Sequence, residues 1–169
     1  MAAIRHKNTT PELLVRKALH ALGFRYRLHY RSLPSTPDLV LPRYRAVINV
    51  NGCFWHGHDC YLFKLPATRT DFWREKIRSN MKRDMENVED LLDSGWRVCI
   101  VWECSTRGSI HRELFPFTAQ AIAAWLEGDE QFIEFTGGES AADIPKYGFE
   151  LRESVAAEQP IPYGQPNDQ

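Results

Sequence analysis

The chain has 169 residues, 43% hydrophobic and 25% charged, enough for one buried core and too few for two comfortable domains. It contains no run of about 18 apolar residues, and its first residues lack the charged-then-apolar pattern of a secretory leader. A membrane span is therefore not indicated, and the expected location is the cytoplasm. The formal net charge of -1 hides an uneven distribution. Residues 1–45 carry nine Lys/Arg against Glu12 and Asp38, residues 46–108 balance nine against nine, and residues 109–169 carry three basic against eleven acidic. A basic front half suits a phosphate-binding face, and equally an ordinary solvated surface.

The segment TTPELLVRKALHALG reads as a helix, with Thr9 or Thr10 as N-cap, Pro11 in the first turn, Glu12 near the positive end of the helix dipole and Gly23 as the stop. FRYRLHY, residues 24–30, alternates apolar and basic side chains as a half-buried strand does. After the turn SLPSTP, the segments DLVL (38–41) and RAVINV (45–50) flank PRY and predict a hairpin. Asp38 then opens one strand, and Asn49 and Asn51 share one side of the other. Residues 71–94 predict a long polar helix stopped by Gly95, and WRVCIVWE (96–103) is apolar enough for the centre of a sheet. TAQAIAAWLEG closes with another helix, QFIEF is a candidate edge strand, and the acidic, Gly- and Pro-containing tail from Gly137 to Gln169 is expected to be loosely held. The order is that of an α/β sandwich with one mixed sheet, in a single domain over residues 1–136.

Three groups of residues carry chemistry. The cysteines Cys53, Cys60, Cys99 and Cys104 sit among histidines and acids, which in a reducing compartment favours metal or free thiols over disulfides. His58 and Cys60 are soft ligands two apart, Cys104 follows the central strand, and Asp84 lies mid-helix where it could face that strand's end. Four such groups make a closed, structural Zn²⁺ site. The competing reading is that the cysteines are small buried hydrophobes. Cys99 fits core packing, and Cys53 fits either.

Asp38 at a strand start can hold a hard cation such as Mg²⁺, which also takes phosphate oxygens and water. The paired strand runs into NVNGCFWH, which brings Asn51 and His56 to the same neighbourhood. A histidine there can take a proton from an attacking water, and Glu12 can join as a second acid. Turn aspartates of purely structural role have the same local pattern. Finally, Phe54 and Trp55 lie between Gly52 and Gly57, with Trp73 opening the long helix. Such aromatics can wedge into a base step, or simply pack in a core as Trp96, Trp102 and Trp125 are expected to.

The run PDLVLPRYRAVINVNGCFWHGHDCYLFKLPATRTDFWREKI, followed by GWRVCIVWEC, closely resembles the very-short-patch mismatch repair endonucleases. NTTPELLVRKALHALGFRYRLH resembles the same family's first helix and strand, so the likeness runs from about Met1 to Leu126. It implies a restriction-endonuclease-like three-layer α/β fold with a central mixed sheet flanked by helices. It also implies a bacterial cytoplasmic monomer that nicks one strand of double-stranded DNA 5′ to the T of a T:G mismatch, with Mg²⁺. Such mismatches arise when 5-methylcytosine deaminates.

Position by position, the resemblance makes Asp38 and the main-chain carbonyl of Val50 the Mg²⁺ ligands, His56 the water-activating histidine and Glu12 a supporting acid. It makes His58, Cys60, Asp84 and Cys104 the Zn²⁺ ligands, and Phe54, Trp55 and Trp73 the DNA wedges. Asn51 stands where well-studied members carry a second histidine, and an amide can donate a hydrogen bond but no proton near neutral pH. Met1 aligns with an inserting residue of an N-terminal arm that in relatives starts about a dozen residues earlier, an arm of the kind that reaches into a DNA groove. Two other readings stand beside this one: a zinc-stabilised DNA-binding module without catalysis, and a related nuclease that cuts undamaged DNA in restriction or defence.

Overall fold

The first helix begins where its capping residues place it. In a computed structural model describing residues 7–28 and 30–137, with 109–112 as backbone alone, helix α1 spans Thr10–Ala21. The Thr9 hydroxyl accepts from Glu12 N at 3.4 Å, and the Glu12 carboxylate accepts from Thr9 N at 3.2 Å. Two amides left without helical partners are satisfied by this reciprocal cap. Val15 and Leu19, one turn apart, are buried.

Five strands follow in a single sheet: β1 (Arg27–Leu28), β2 (Leu39–Leu41), β3 (Ala46–Asn51), β4 (Arg97–Trp102) and β5 (Phe132–Phe135). They lie in the order β1-β2-β3-β4-β5. The first three pair antiparallel, and β3, β4 and β5 pair parallel, so the sheet is mixed. Between β2 and β3 a 3-10 turn over Pro42–Tyr44 ends on Arg45 in a left-handed conformation, φ 45°. Helix α2 (Thr70–Asp93) connects β3 to β4, and helix α3 (Ser109–Glu127) connects β4 to β5.

Strand alternation sorts the core into two halves. Leu39, Leu41, Ala46, Ile48, Cys99 and Val101 pack with α1 and α3 residues such as Leu19, Ile122 and Trp125. Val40, Val47, Val98, Ile100 and Trp102 face the other way and pack with Leu91 of α2. The result is three layers, helices on both faces of the mixed sheet, which is the expected α/β architecture. Cys99 is core, fully buried. No helix among the described residues is long and apolar enough to cross a membrane.

Two elements differ from their sequence expectation. The strand expected over residues 24–30 pairs only at Arg27↔Val40 and Leu28↔Leu39, because its one neighbour, β2, is three residues long. Phe24 instead turns into the core, and the Tyr26 hydroxyl donates to Arg16 O at 3.0 Å. Helix α3 starts at Ser109, well before TAQAIAAWLEG, and carries Pro116 within it. A proline inside a helix normally marks an end, since it removes one backbone hydrogen bond. Residues 138–169 and Met1 lie outside the described residues, and with them the expected tail and arm contact.

Candidate active site and metal-ligand cluster

Because β2 and β3 are antiparallel, the residue before β2 lies beside the last residues of β3. Asp38 therefore meets Val50, whose N–H donates to Asp38 Oδ2 at 2.8 Å. Asn49 and Asn51 continue the α2-facing side that Val47 begins. Together they open a cleft of about 600 Å³ at the C-terminal end of β3. Its other walls are His56 from the following loop, Arg83, Asp84 and Asn87 from α2, and Lys7. Burial pushes the Asp38 carboxyl up from 3.8 to about 6, opposed by the Val50 hydrogen bond and reinforced by the charge of Glu12. A half-buried carboxylate at the mouth of a polar cleft, beside the main chain of Val50, fits a cation.

Residues 52–58 form one tight turn. His56 N donates to Gly52 O at 3.2 Å and His58 N to Cys53 O at 3.0 Å. Gly57 adopts φ 63°, and a Cβ there would lie 2.5 Å from Met81 Sδ, so the turn packs directly on α2. The Asn80 amide reaches from α2 to Trp55 O at 2.9 Å. This packing sets His56 Nδ1 2.5 Å from Asp84 Oδ2. With a carboxylate accepting at Nδ1, the neutral imidazole carries its proton there, the tautomer whose Nε2 can accept one.

Asp84 is thus not placed with the zinc ligands expected of it. The fourth member of the cluster is Cys53: one ligand atom each from Cys53, His58, Cys60 and Cys104 lies within 4.8 Å of the others. The reason is the turn itself, which carries Cys53 and His58 to the same side while α2 holds Asp84 against His56. Three thiols and an imidazole are a four-donor set of the kind that structural Zn²⁺ takes. The electrostatics agree. Hydrogen bonds from Cys53 and His58 hold the Cys104 thiol well below the usual range, and the same pairing, with burial, pushes Cys53 up. The thiolate form is thus favoured at Cys104 and disfavoured at Cys53, and a bound cation would favour it at every thiol of the group. His58 stacks on Trp102, ring centres 4.3 Å apart, and Trp102 Nε1 donates to Glu134 at 3.3 Å. Gly137 N donates to Cys104 Sγ at 3.2 Å, and a Cβ on Gly137 would collide with the Cys104 carbonyl.

The aromatics gather beside this turn. Phe54 lies 5.1 Å from Trp55 and 5.6 Å from Trp73, and Trp55 lies 5.9 Å from Trp73, centre to centre. All three are partly exposed, with Phe63 and Phe72 against them. Glu12 does not line the cleft. It is buried, paired with Arg16, and acts on Asp38 through its charge. The sequence pattern left Cys53 undecided and passed over Arg83 and Asn80. The available signals were Cys-x4-His-x-Cys over residues 53–60, and the i, i+3, i+4, i+7 set of Asn80, Arg83, Asp84 and Asn87 on one helix face.

Residues 1–62 match the family model described as DNA mismatch endonuclease Vsr. The chain is 45% identical over 152 residues to the DNA mismatch endonuclease Vsr of Escherichia coli, covering 89% of this chain and 90% of that protein. It is 50% identical over 104 residues to the type II nicking enzyme V.XorIIP of Xanthomonas oryzae, covering 62% of this chain and 76% of that enzyme. It is 45% identical over 107 residues to the type II nicking enzyme V.NmeAIP of Neisseria meningitidis, covering 63% and 76% respectively. Likeness at that level across nine-tenths of both chains, on a mixed sheet with this cleft, means that the protein is a DNA endonuclease and belongs to the Vsr DNA mismatch endonuclease family.

Proposed function

We propose that the protein nicks one strand of double-stranded DNA 5′ to the T of a T:G mismatch, by Mg²⁺-dependent hydrolysis, as a monomer in the bacterial cytoplasm. The observation that carries this reading is the convergence of Asp38, Val50 and the His56–Asp84 pair on one cleft, with Phe54, Trp55 and Trp73 beside it.

Asp38 and the Val50 main chain would hold the Mg²⁺, which when bound polarises the phosphoryl oxygen and the attacking water. Asp84 orients His56 so that Nε2 takes the proton of that water as its oxygen bonds to phosphorus and the ester oxygen departs. Asn51 offers an amide to a phosphate oxygen and no second base. Phe54, Trp55 and Trp73 stack against bases at a step weakened by mispairing, where unstacking costs only a few kcal/mol. Cys53, His58, Cys60 and Cys104 bind Zn²⁺ and fix the turn that carries both Trp55 and His56.

The test is nicking of T:G and T:A duplexes over a panel of flanking sequences with Mg²⁺ present. Preferential cutting of T:G, lost on Phe54→Ala or Trp55→Ala and abolished by Asp38→Ala, is the expected result. Full activity of Asp38→Ala would remove the metal mechanism. The 50% identity to a type II nicking enzyme favours, as a second reading, nicking tied to a restriction site. Equal cutting of T:G and T:A duplexes would select it.

A further inference from the structure

Among the cleft residues, Arg83 has a charge that the fold leaves unspent. Its guanidinium donates to the side-chain oxygen of Asn80 at 2.6 Å, a neutral acceptor, and forms no salt bridge among the described residues. The carboxylates nearest along the helix are engaged elsewhere: Asp84 with His56 at 2.5 Å, Glu86 with Lys82 at 3.9 Å. One turn away on either side stand the uncharged Ser79 and Asn87. A solvated surface arginine would point outward unaided. Arg83 is exposed yet lines the same cleft as Asp38, Asn51 and His56.

Asn80 supplies the aim. It is 8% exposed, and its amide uses both ends, Nδ2 on Trp55 O at 2.9 Å and Oδ1 on Arg83. The guanidinium therefore has one donor fixed, and its remaining N–H groups stay directed by a planar fork that matches two phosphate oxygens. Fixing it through the carbonyl of Trp55 ties the position of this cation to the aromatic turn.

We infer that Arg83 is a substrate-contacting residue, a clamp on the phosphate 5′ to the mismatched T, held in place by Asn80. This rests on the proposed reading of the cleft as the nicking centre. Phosphate contacts position a duplex without reading its sequence, and each one adds about one unit to the slope of log affinity against log salt.

The experiment measures binding to T:G duplexes without added Mg²⁺, the zinc left in place, across a salt series, for the unaltered chain, Arg83→Ala and Arg83→Lys. Arg83→Ala should lower the slope by about 1 and weaken T:G and T:A duplexes by the same factor. Arg83→Lys should restore the slope, because it keeps the charge, while nicking stays several-fold slow for want of the fork. On a duplex with a neutral methylphosphonate 5′ to the mismatched T, the unaltered chain and Arg83→Ala should bind alike. An unchanged slope, or a difference that survives on the methylphosphonate duplex, would overturn the clamp. Arg83 is exposed on a helix and alanine favours helix, so a matching thermal midpoint will show that the fold is intact. Nicking by Asp38→Ala at the full rate would instead sink the reading of the cleft, whatever the salt slope shows.

Discussion

Where β3 and β4 begin, two arginines turn onto the C-terminal ends of helices; where they finish, polar side chains face an open cleft. At the first end Arg45 donates to Gly95 O at 3.2 Å and Ser94 O at 3.0 Å, just past α2. Arg97 donates to Glu130 O at 3.0 Å and Leu126 O at 3.1 Å, and also to Trp125 O, closing α3. Both guanidinium groups lie over tryptophan rings, at 5.4 Å from Trp96 and 4.5 Å from Trp125. Carbonyls left without helical partners are satisfied by cations where the helix dipole is negative. At the second end Asp38 is half-buried within reach of Glu12's charge, and Arg83 has a neutral partner. The same sheet therefore spends its polar groups on stability at one end and holds them for a substrate at the other. Changes at the cleft should reduce activity at little cost in stability, and changes at the arginine end should do the reverse.

The largest expected effect falls on the cleft. Asp84→Asn keeps the shape of the side chain but no longer fixes the His56 proton on Nδ1, so nicking should fall on the order of 10³-fold. Its zinc content by elemental analysis should equal that of the unaltered chain, whereas Cys53→Ala should lose the metal. Zinc lost from Asp84→Asn and kept by Cys53→Ala would return the aspartate to the ligand set.

That contrast also marks how far the sequence could be read. Helix α1 was legible because Thr9, Pro11 and Glu12 state its start in side-chain chemistry, and β4 because six consecutive buried residues leave no other period. The hairpin brought Asp38 to Val50, since side-chain alternation and a short turn fix the register. The place of Asp84 beside His56 was not legible, because spacing along α2 tells which residues share a face, not which loop atom the face meets. That depends on Gly57 letting the turn settle on Ile77 and Met81, a tertiary contact with no local signature. The early start of α3 was hidden by Pro116 for the opposite reason: its local signal is strong, and the surrounding helix overrides it.

At the arginine end, Arg97→Met should lower stability by about 2–3 kcal/mol in urea melts, through carbonyls left unsatisfied under partial burial. Nicking per folded molecule should be unchanged below the melting range. A rate loss without a stability loss would mean that the two ends are coupled through β4. The next effect carries the comparison back to the cleft with its sign reversed. Asp38 titrates near 3.8 when unfolded and about 6 when folded. Between these values the folded chain holds the extra proton, so raising pH through that window costs stability. Asparagine cannot ionise. Asp38→Asn should therefore be more stable than the unaltered chain without Mg²⁺ above pH 6, by on the order of 2 kcal/mol, with the gain gone by pH 4. Added Mg²⁺ should stabilise the unaltered chain and not the variant. A gain that persists at pH 4 would trace it to packing instead of charge.

Arg45 offers the smallest and most divisible effect, because the residue does two opposing things. Its φ of 45° is a conformation that side chains with a Cβ adopt at a cost of about 1 kcal/mol, while its guanidinium closes α2. Alanine at this position keeps the backbone cost and removes the cap, so Arg45→Ala should lose about 1 kcal/mol. Glycine removes both, and Arg45→Gly should return near the stability of the unaltered chain, the relief in the turn offsetting the lost cap. Comparing the two variants therefore separates cap from turn at a single site. If Arg45→Ala were as stable as the unaltered chain, the bonds to Ser94 and Gly95 would contribute nothing, and the stabilising end of the sheet would reduce to Arg97.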